Sequence, residues 1–154
     1  MAADVFHLNV SLPLRQARQI IDAALAEGRN RQLQPLTVVV LDVGGHLVSM
    51  DREDGSGLLR MEIAQGKAYG ALGMGLGSRT LGERNKERAP FLAGVSVASD
   101  GRFVPVPGGV LMLNDQNQVV GAVGASGDSA DEDEICALAG VKAAGFKAGI
   151  DAAG

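Results

Sequence analysis

Apolar residues recur along the chain with two different periods, and each change of period marks an element. Leu14, Ala17, Ile20, Ile21, Ala24 and Leu25 follow helical spacing, with Ser11 placed to cap the first turn and Gly28 placed to end the helix. Residues 36–41 are then a nearly continuous β-branched run, Gly44-Gly45 is a turn signal, and residues 47–50 alternate. The stretch 36–50 therefore reads as a hairpin whose first strand, apolar on both faces, is central. After a polar loop at 51–57, Leu59, Ile63, Ala64, Lys67, Ala68, Ala71 and Leu72 restore the helical period until Gly73, Gly75 and Gly77 break it.

Thr80 with Glu83 offers a capping box for a short third helix to about Arg88, where Pro90 stops continuation, and 93–103 reads as a loop or weak strand. Residues 110–113 and 119–125 are short apolar runs separated by the turn cluster 114–118, a second hairpin. Ser129, followed three residues later by Glu132, is a second capping box, and it opens a final helix expected over 131–149. Strands joined by tight turns are antiparallel neighbours, so the fold class is α+β, and no composition break or repeat divides residues 1–154.

Composition narrows the function. A net charge of −4 with one tyrosine and no tryptophan argues against a nucleic-acid partner, and the mixed run 78–88 reads as a solvated helix face. No stretch approaches the roughly 18 apolar residues of a membrane span, and no signal-like segment opens the chain, so the expected setting is cytoplasmic. The single cysteine, Cys136, forms no internal bridge and reads as an inert buried thiol. The 22 glycines have no fixed period, so they indicate close backbone approach between elements or subunits, not a linker.

Candidate chemistry is sparse. The row Gly70, Gly73, Gly75, Gly77 follows a helix, whereas a dinucleotide fingerprint follows a strand. His7 and His46 have no second ligand at metal-like spacing; His46, at a hairpin turn, is a weak metal candidate and more simply a solvated residue. The methionines read as core filler. Lys67 interrupts a small apolar helix face, where a desolvated lysine acts as a base or binds an anion; the plain alternative is snorkelling to solvent or pairing with a carboxylate. Arg52, Asp54 and Arg60 flank the loop after the first hairpin, while Ser126, Asp133 and Glu134 follow the second. If the hairpins lie side by side, the two sets converge. The acidic run 131–134 is also what a helix dipole favours in a first turn.

The stretches VVVLDVGGHLVSMDRED, PGGVLM, VVGAVGASGD and DEDE, in this order with the helix bearing Ala64, Lys67 and Ala68, resemble the GlcG and HbpS family, which includes the C-terminal domain of PduO. The resemblance covers residues 38–146. It implies a profilin-like, five-stranded antiparallel sheet flanked by helices, and homo-oligomers built from dimers, commonly octamers. It also implies a small-molecule ligand, haem or a related tetrapyrrole first. Arg52, Lys67, Pro107, Gly108, Gly109, Gly124, Ser126, Gly127, Asp133 and Glu134 occupy the family's recurrent positions and mark the expected pocket. Two other readings remain open at this point. One is a small lyase, isomerase or hydrolase acting on a carboxylated catabolic intermediate, with Lys67 or Glu134 as base and Arg52 as carboxylate clamp. The other is a structural oligomer serving as an accessory protein to a catabolic enzyme.

Overall fold

In the computed structural model, which describes residues 3–150, two hairpins pair side by side into one sheet. Helix α1 (Leu14–Asn30) leads to strands β1 (Thr37–Asp42) and β2 (Leu47–Arg52). Helices α2 (Arg60–Met74), α3 (Ser78–Asn85) and α4 (Ala89–Ala98) fill the long connection. Then come β3 (Gly109–Leu113), β4 (Val119–Ser126), α5 (Ala130–Ala143) and β5 (Lys147–Gly149). The order β2-β1-β4-β3-β5, with every pairing antiparallel, is the α+β arrangement that the alternating and β-branched runs require.

β1 is apolar on both faces because both faces are covered. Val38 and Val40 join Ile20, Ile21, Cys136 and Val141 of α1 and α5 on one side. Val39 and Leu41 meet Ala64, Ala68 and Ala71 of α2 on the other. The second side is built from small residues, so helix and sheet backbones come close: a Cβ at Gly124 of β4 would overlap the Ala64 carbonyl, and one at Gly109 would overlap that of Lys67. Among the described residues, no helix is long and apolar enough to cross a membrane.

Five local expectations change, the first being that α1 runs past Gly28 to Asn30. Pro13, not Ser11, precedes α1, and the Ser11 hydroxyl instead accepts from the Val43 amide at 3.1 Å. Gly77, not Thr80, precedes α3, and Thr80 is buried within it. Residues 89–98 form α4; Pro90 lies in its first turn, where a missing N–H and a fixed φ suit a helix start, so it begins an element, and α3 has already ended at Asn85. The last helix stops at Ala143, and after Gly145, at φ +82°, the chain turns back so that Lys147–Gly149 pairs with β3. The Ser129 cap is as expected: its hydroxyl accepts from the Glu132 amide. The ends of the expected single domain, residues 1–2 and 151–154, lie outside the described residues.

Candidate functional site

The helical period of α2 carries Lys67 inward with Ala64, Ala68 and Ala71, into the gap where β3 starts, β4 ends and α5 begins. Its side chain is 2% exposed, and its Nζ donates to the Ala125 carbonyl at 2.9 Å and to Asp133 Oδ2 at 3.0 Å. The snorkelling alternative is therefore excluded; pairing with a carboxylate is what the chain does, inside the core. Burial pushes the Lys67 ammonium below its ordinary value, and Asp133 pulls against that shift. The other oxygen of Asp133 accepts the Asp128 amide at 3.0 Å, which ties the pair to the turn before α5.

Most of the expected pocket residues surround this pair. Gly108, at φ +125°, lies so close that a Cβ there would meet Ala125 O and Lys67 Nζ. Gly109 donates its amide to Ser78 Oγ at 2.7 Å. Gly127 packs on Pro35 and Leu36, and Ser126 Oγ accepts from Arg60 Nη1 at 3.2 Å. Pro107 precedes this bend. Glu134 is buried beside the cluster: Oε1 accepts from Arg79 Nε at 2.9 Å, whereas Oε2 has no hydrogen-bond partner among the described residues. Arg79 also binds Asp131 at 2.5 Å, and these two carboxylates hold its guanidinium above the ordinary value. The acidic run thus serves an arginine as well as the helix dipole.

Arg52 stands elsewhere. It pairs across β1 Thr37, whose other neighbour is Ser126, so its backbone is two strand spacings, about 10 Å, from the cluster. It lines a cleft of about 530 Å³ with Leu25, Arg29, Met50, Glu53 and Asp54, where Arg29 already pairs with Glu53. The hairpins lie side by side, yet the arginine that reaches the second set is Arg60. His46 is exposed, with Nδ1 at 3.4 Å from Asp42 Oδ1. No group of three His, Cys, Asp or Glu residues gathers for a metal ion among the described residues. Cys136 is buried, its thiol pushed up to about 12 chiefly by burial.

A second opening was invisible to sequence periodicity. Between α2 and α4 lies a groove of about 290 Å³ walled by Tyr69, Gly70, Gly73, Met74, Val95, Ala98, Ser99 and Phe103. A smaller cleft at the β1–β2 turn shares Tyr69 and Gly73 with it. Arg102 stacks on the Tyr69 ring, its guanidinium carbon 3.9 Å from the centroid, and puts a cation at the rim. The residues that sequence reading passed over are thus Arg79, Ser78, Tyr69, Arg102 and Phe103. Arg79 was hidden in a mixed-charge run; the groove draws Tyr69 from α2, and Arg102 and Phe103 from the segment after α4, a helix that had read as loop.

Comparison with known proteins follows the same lines. The sequence profile described as "Haem degrading protein HbpS-like" matches residues 12–142. An uncharacterized 15.0 kDa protein of the dhaT-dhaS intergenic region of Citrobacter freundii is 28% identical over 128 residues, 82% of this chain and 87% of that protein. A solved PduOC:heme complex superposes with a TM-score of 0.79 at 25% identity, over 90% of this chain and 98% of that one. The ORFY protein of Klebsiella pneumoniae superposes at 0.77 with 22% identity, over 94% and 97% of the two chains. HbpS superposes at 0.74 with 23% identity, over 92% and 97%.

Proposed function

Because the chain belongs to the HbpS-like family of haem-degrading proteins, we propose that it is a small-molecule binding protein with haem or a related tetrapyrrole as its leading ligand. The likeness to a protein solved as a heme complex supports this reading. The observation that carries it to a place on this chain is the α2–α4 groove. Its walls are mainly apolar, it offers the Tyr69 and Phe103 rings, and its rim carries Arg102 for a carboxylate.

The groove suits part of such a group. Its volume is at the lower end of the roughly 300–1,000 Å³ of small-molecule sites, so a tetrapyrrole would stand partly outside it. A Cβ at Gly73 would meet nothing within 4 Å, which leaves room for a flat ring against α2. The atoms on its walls able to hold iron are the Met74 sulfur and the Tyr69 phenol. A bound haem would supply redox-active iron; the chain's own part is to exclude water and orient the ring. In this reading Lys67, Pro107, Gly108, Gly109, Gly124, Ser126, Gly127, Asp133 and Glu134 form the frame beneath the site. Arg52 lines a separate polar cleft.

The enzyme reading needs Lys67 or Glu134 to work beside Arg52. Lys67 is already committed to Asp133 and Ala125, and Arg52 opens elsewhere, so the three do not form one constellation. Self-association, expected from the glycine-rich helices, belongs to the proposal. The test is an absorbance titration with haemin on the wild type, Gly73→Leu and Arg52→Ala. A saturable Soret shift that Gly73→Leu weakens about tenfold or more and Arg52→Ala leaves unchanged is expected. Equal binding in all three would move the ligand out of the groove.

A further inference from the structure

The chain contains two Asp-Gly pairs, Asp54-Gly55 and Asp100-Gly101, and no Asn-Gly pair. Such a pair can react with itself. The amide nitrogen of the glycine attacks the side-chain carboxyl carbon of the aspartate, an approach that a residue without a Cβ leaves open. Two features of a fold decide whether the step proceeds: exposure of the carboxyl and freedom of the glycine N–H.

Both pairs sit in exposed turns with the glycine at positive φ, +87° at Gly55 and +77° at Gly101. One hydrogen bond separates them. The Gly101 amide donates to the Ser96 carbonyl at 2.7 Å, where it closes the end of α4, so its nitrogen is engaged. The Gly55 amide donates to nothing among the described residues, and the Asp54 carboxylate has neither hydrogen bond nor ion pair there. Its neighbours are held. Glu53 accepts the Leu36 amide and pairs with Arg29, Ser56 Oγ meets Thr37 Oγ1 at 2.9 Å, and the Ser56 amide closes the turn on the Glu53 carbonyl at 3.0 Å.

We propose that Asp54-Gly55 is a self-modification site, which converts to isoaspartate in the folded protein while Asp100-Gly101 is protected. The Gly55 nitrogen bonds to Asp54 Cγ, and its hydrogen leaves with the hydroxyl of the protonated carboxyl as one water, which closes a five-membered succinimide. Water then adds to either ring carbonyl. Opening at the Cγ carbonyl restores Asp54; opening at the other leaves the backbone running through Cγ, which is isoaspartate. No atom is gained or lost overall, and water is the only co-reactant.

The product changes one wall of the molecule. Because the turn is fixed at Glu53 and at Ser56, the added backbone methylene bulges between them. Asp54 lines the polar cleft with Arg29 and Arg52, so its carboxylate shifts within that cleft. The residue formed is also the substrate class of carboxyl methyltransferases that act on isoaspartate. The site is independent of the ligand chemistry proposed for the α2–α4 groove.

The test ages the full chain in neutral buffer, folded and in urea. Isoaspartate is counted by enzymatic methyl transfer from S-adenosylmethionine and placed by peptide mapping. In the folded chain it should accumulate at 54 about tenfold faster than at 100, the effect of one hydrogen bond; in urea the two rates should converge. Asp54→Glu, which would need a six-membered ring, should remove most of the methyl acceptance of the aged folded protein, with circular dichroism confirming an unchanged fold. Isoaspartate at 54 that forms in urea but not in the folded chain would overturn the proposal. Equal rates at 54 and 100 in the folded chain would overturn it as well.

Discussion

Helix α2 carries a lysine on its inner face and buries it; helix α4 carries no charge and buries nothing. Hydropathy alone orders these two helices the wrong way. What decides is backbone access. Ala64, Gly66, Ala68, Gly70 and Ala71 let α2 lie close to β4 and to the Phe103 segment, and at that distance Lys67 reaches two acceptors at the sheet's end. α4 has small residues too, but they point away from the body. The same residue types that close an interface on α2 stand exposed on α4.

The comparison breaks first at Lys67. Replacing it with methionine leaves Asp133 charged and unpaired in the core, and such losses cost about 3–5 kcal/mol. Urea denaturation should show that loss. The double variant Lys67→Met, Asp133→Asn should recover a large part, since asparagine can still accept the Asp128 amide. Next is Gly124→Ala, which forces a methyl into the Ala64 carbonyl and should cost about 1–3 kcal/mol. Gly94→Ala has the opposite sign, a gain of up to about 1 kcal/mol, because its space is open. Melting curves of that variant measure the gain.

The smallest effect concerns charges at the surface. Asp128 accepts the amides of Gln34 and Ser129, and Glu132 pairs with Arg31, so both carboxyls titrate below their ordinary values of 3.8 and 4.5. The unfolded chain binds those protons first as pH falls. The stability they contribute is thus complete above about pH 5 and lost as pH falls through the folded-state values. Asp128→Asn should flatten part of that loss in a series of melting curves.

The hairpins, α1, α2 and the Ser129 cap were legible because each is written in a local period or a local hydrogen bond. β5 was not: three residues carry no period, and the strand exists only because the β3 edge was open to it. α4 was missed because Pro90 reads equally as a stop and a start. At the site, Lys67 stood out for interrupting a small apolar face. Its partner Asp133 lay in an acidic run already explained by the helix dipole, and Arg79 in a run that resembled a solvated face. Arg52 and Arg60 flank the same loop, and only the register of β2 against β1 separates them. The groove joins α2, α4 and Phe103, three segments whose meeting no spacing along the chain encodes.

The central claim is that the Lys67 cluster is frame and the α2–α4 groove receives the ligand. Hydrogen exchange of the protein with and without one equivalent of haemin tests it most directly. The account predicts new protection in the amides around 69–74 and 95–103, with those of 108–109 and 124–127 unchanged. Protection that appears at 108–109 and 124–127 and leaves the groove segments as they were would contradict it, and would return the site to the lysine.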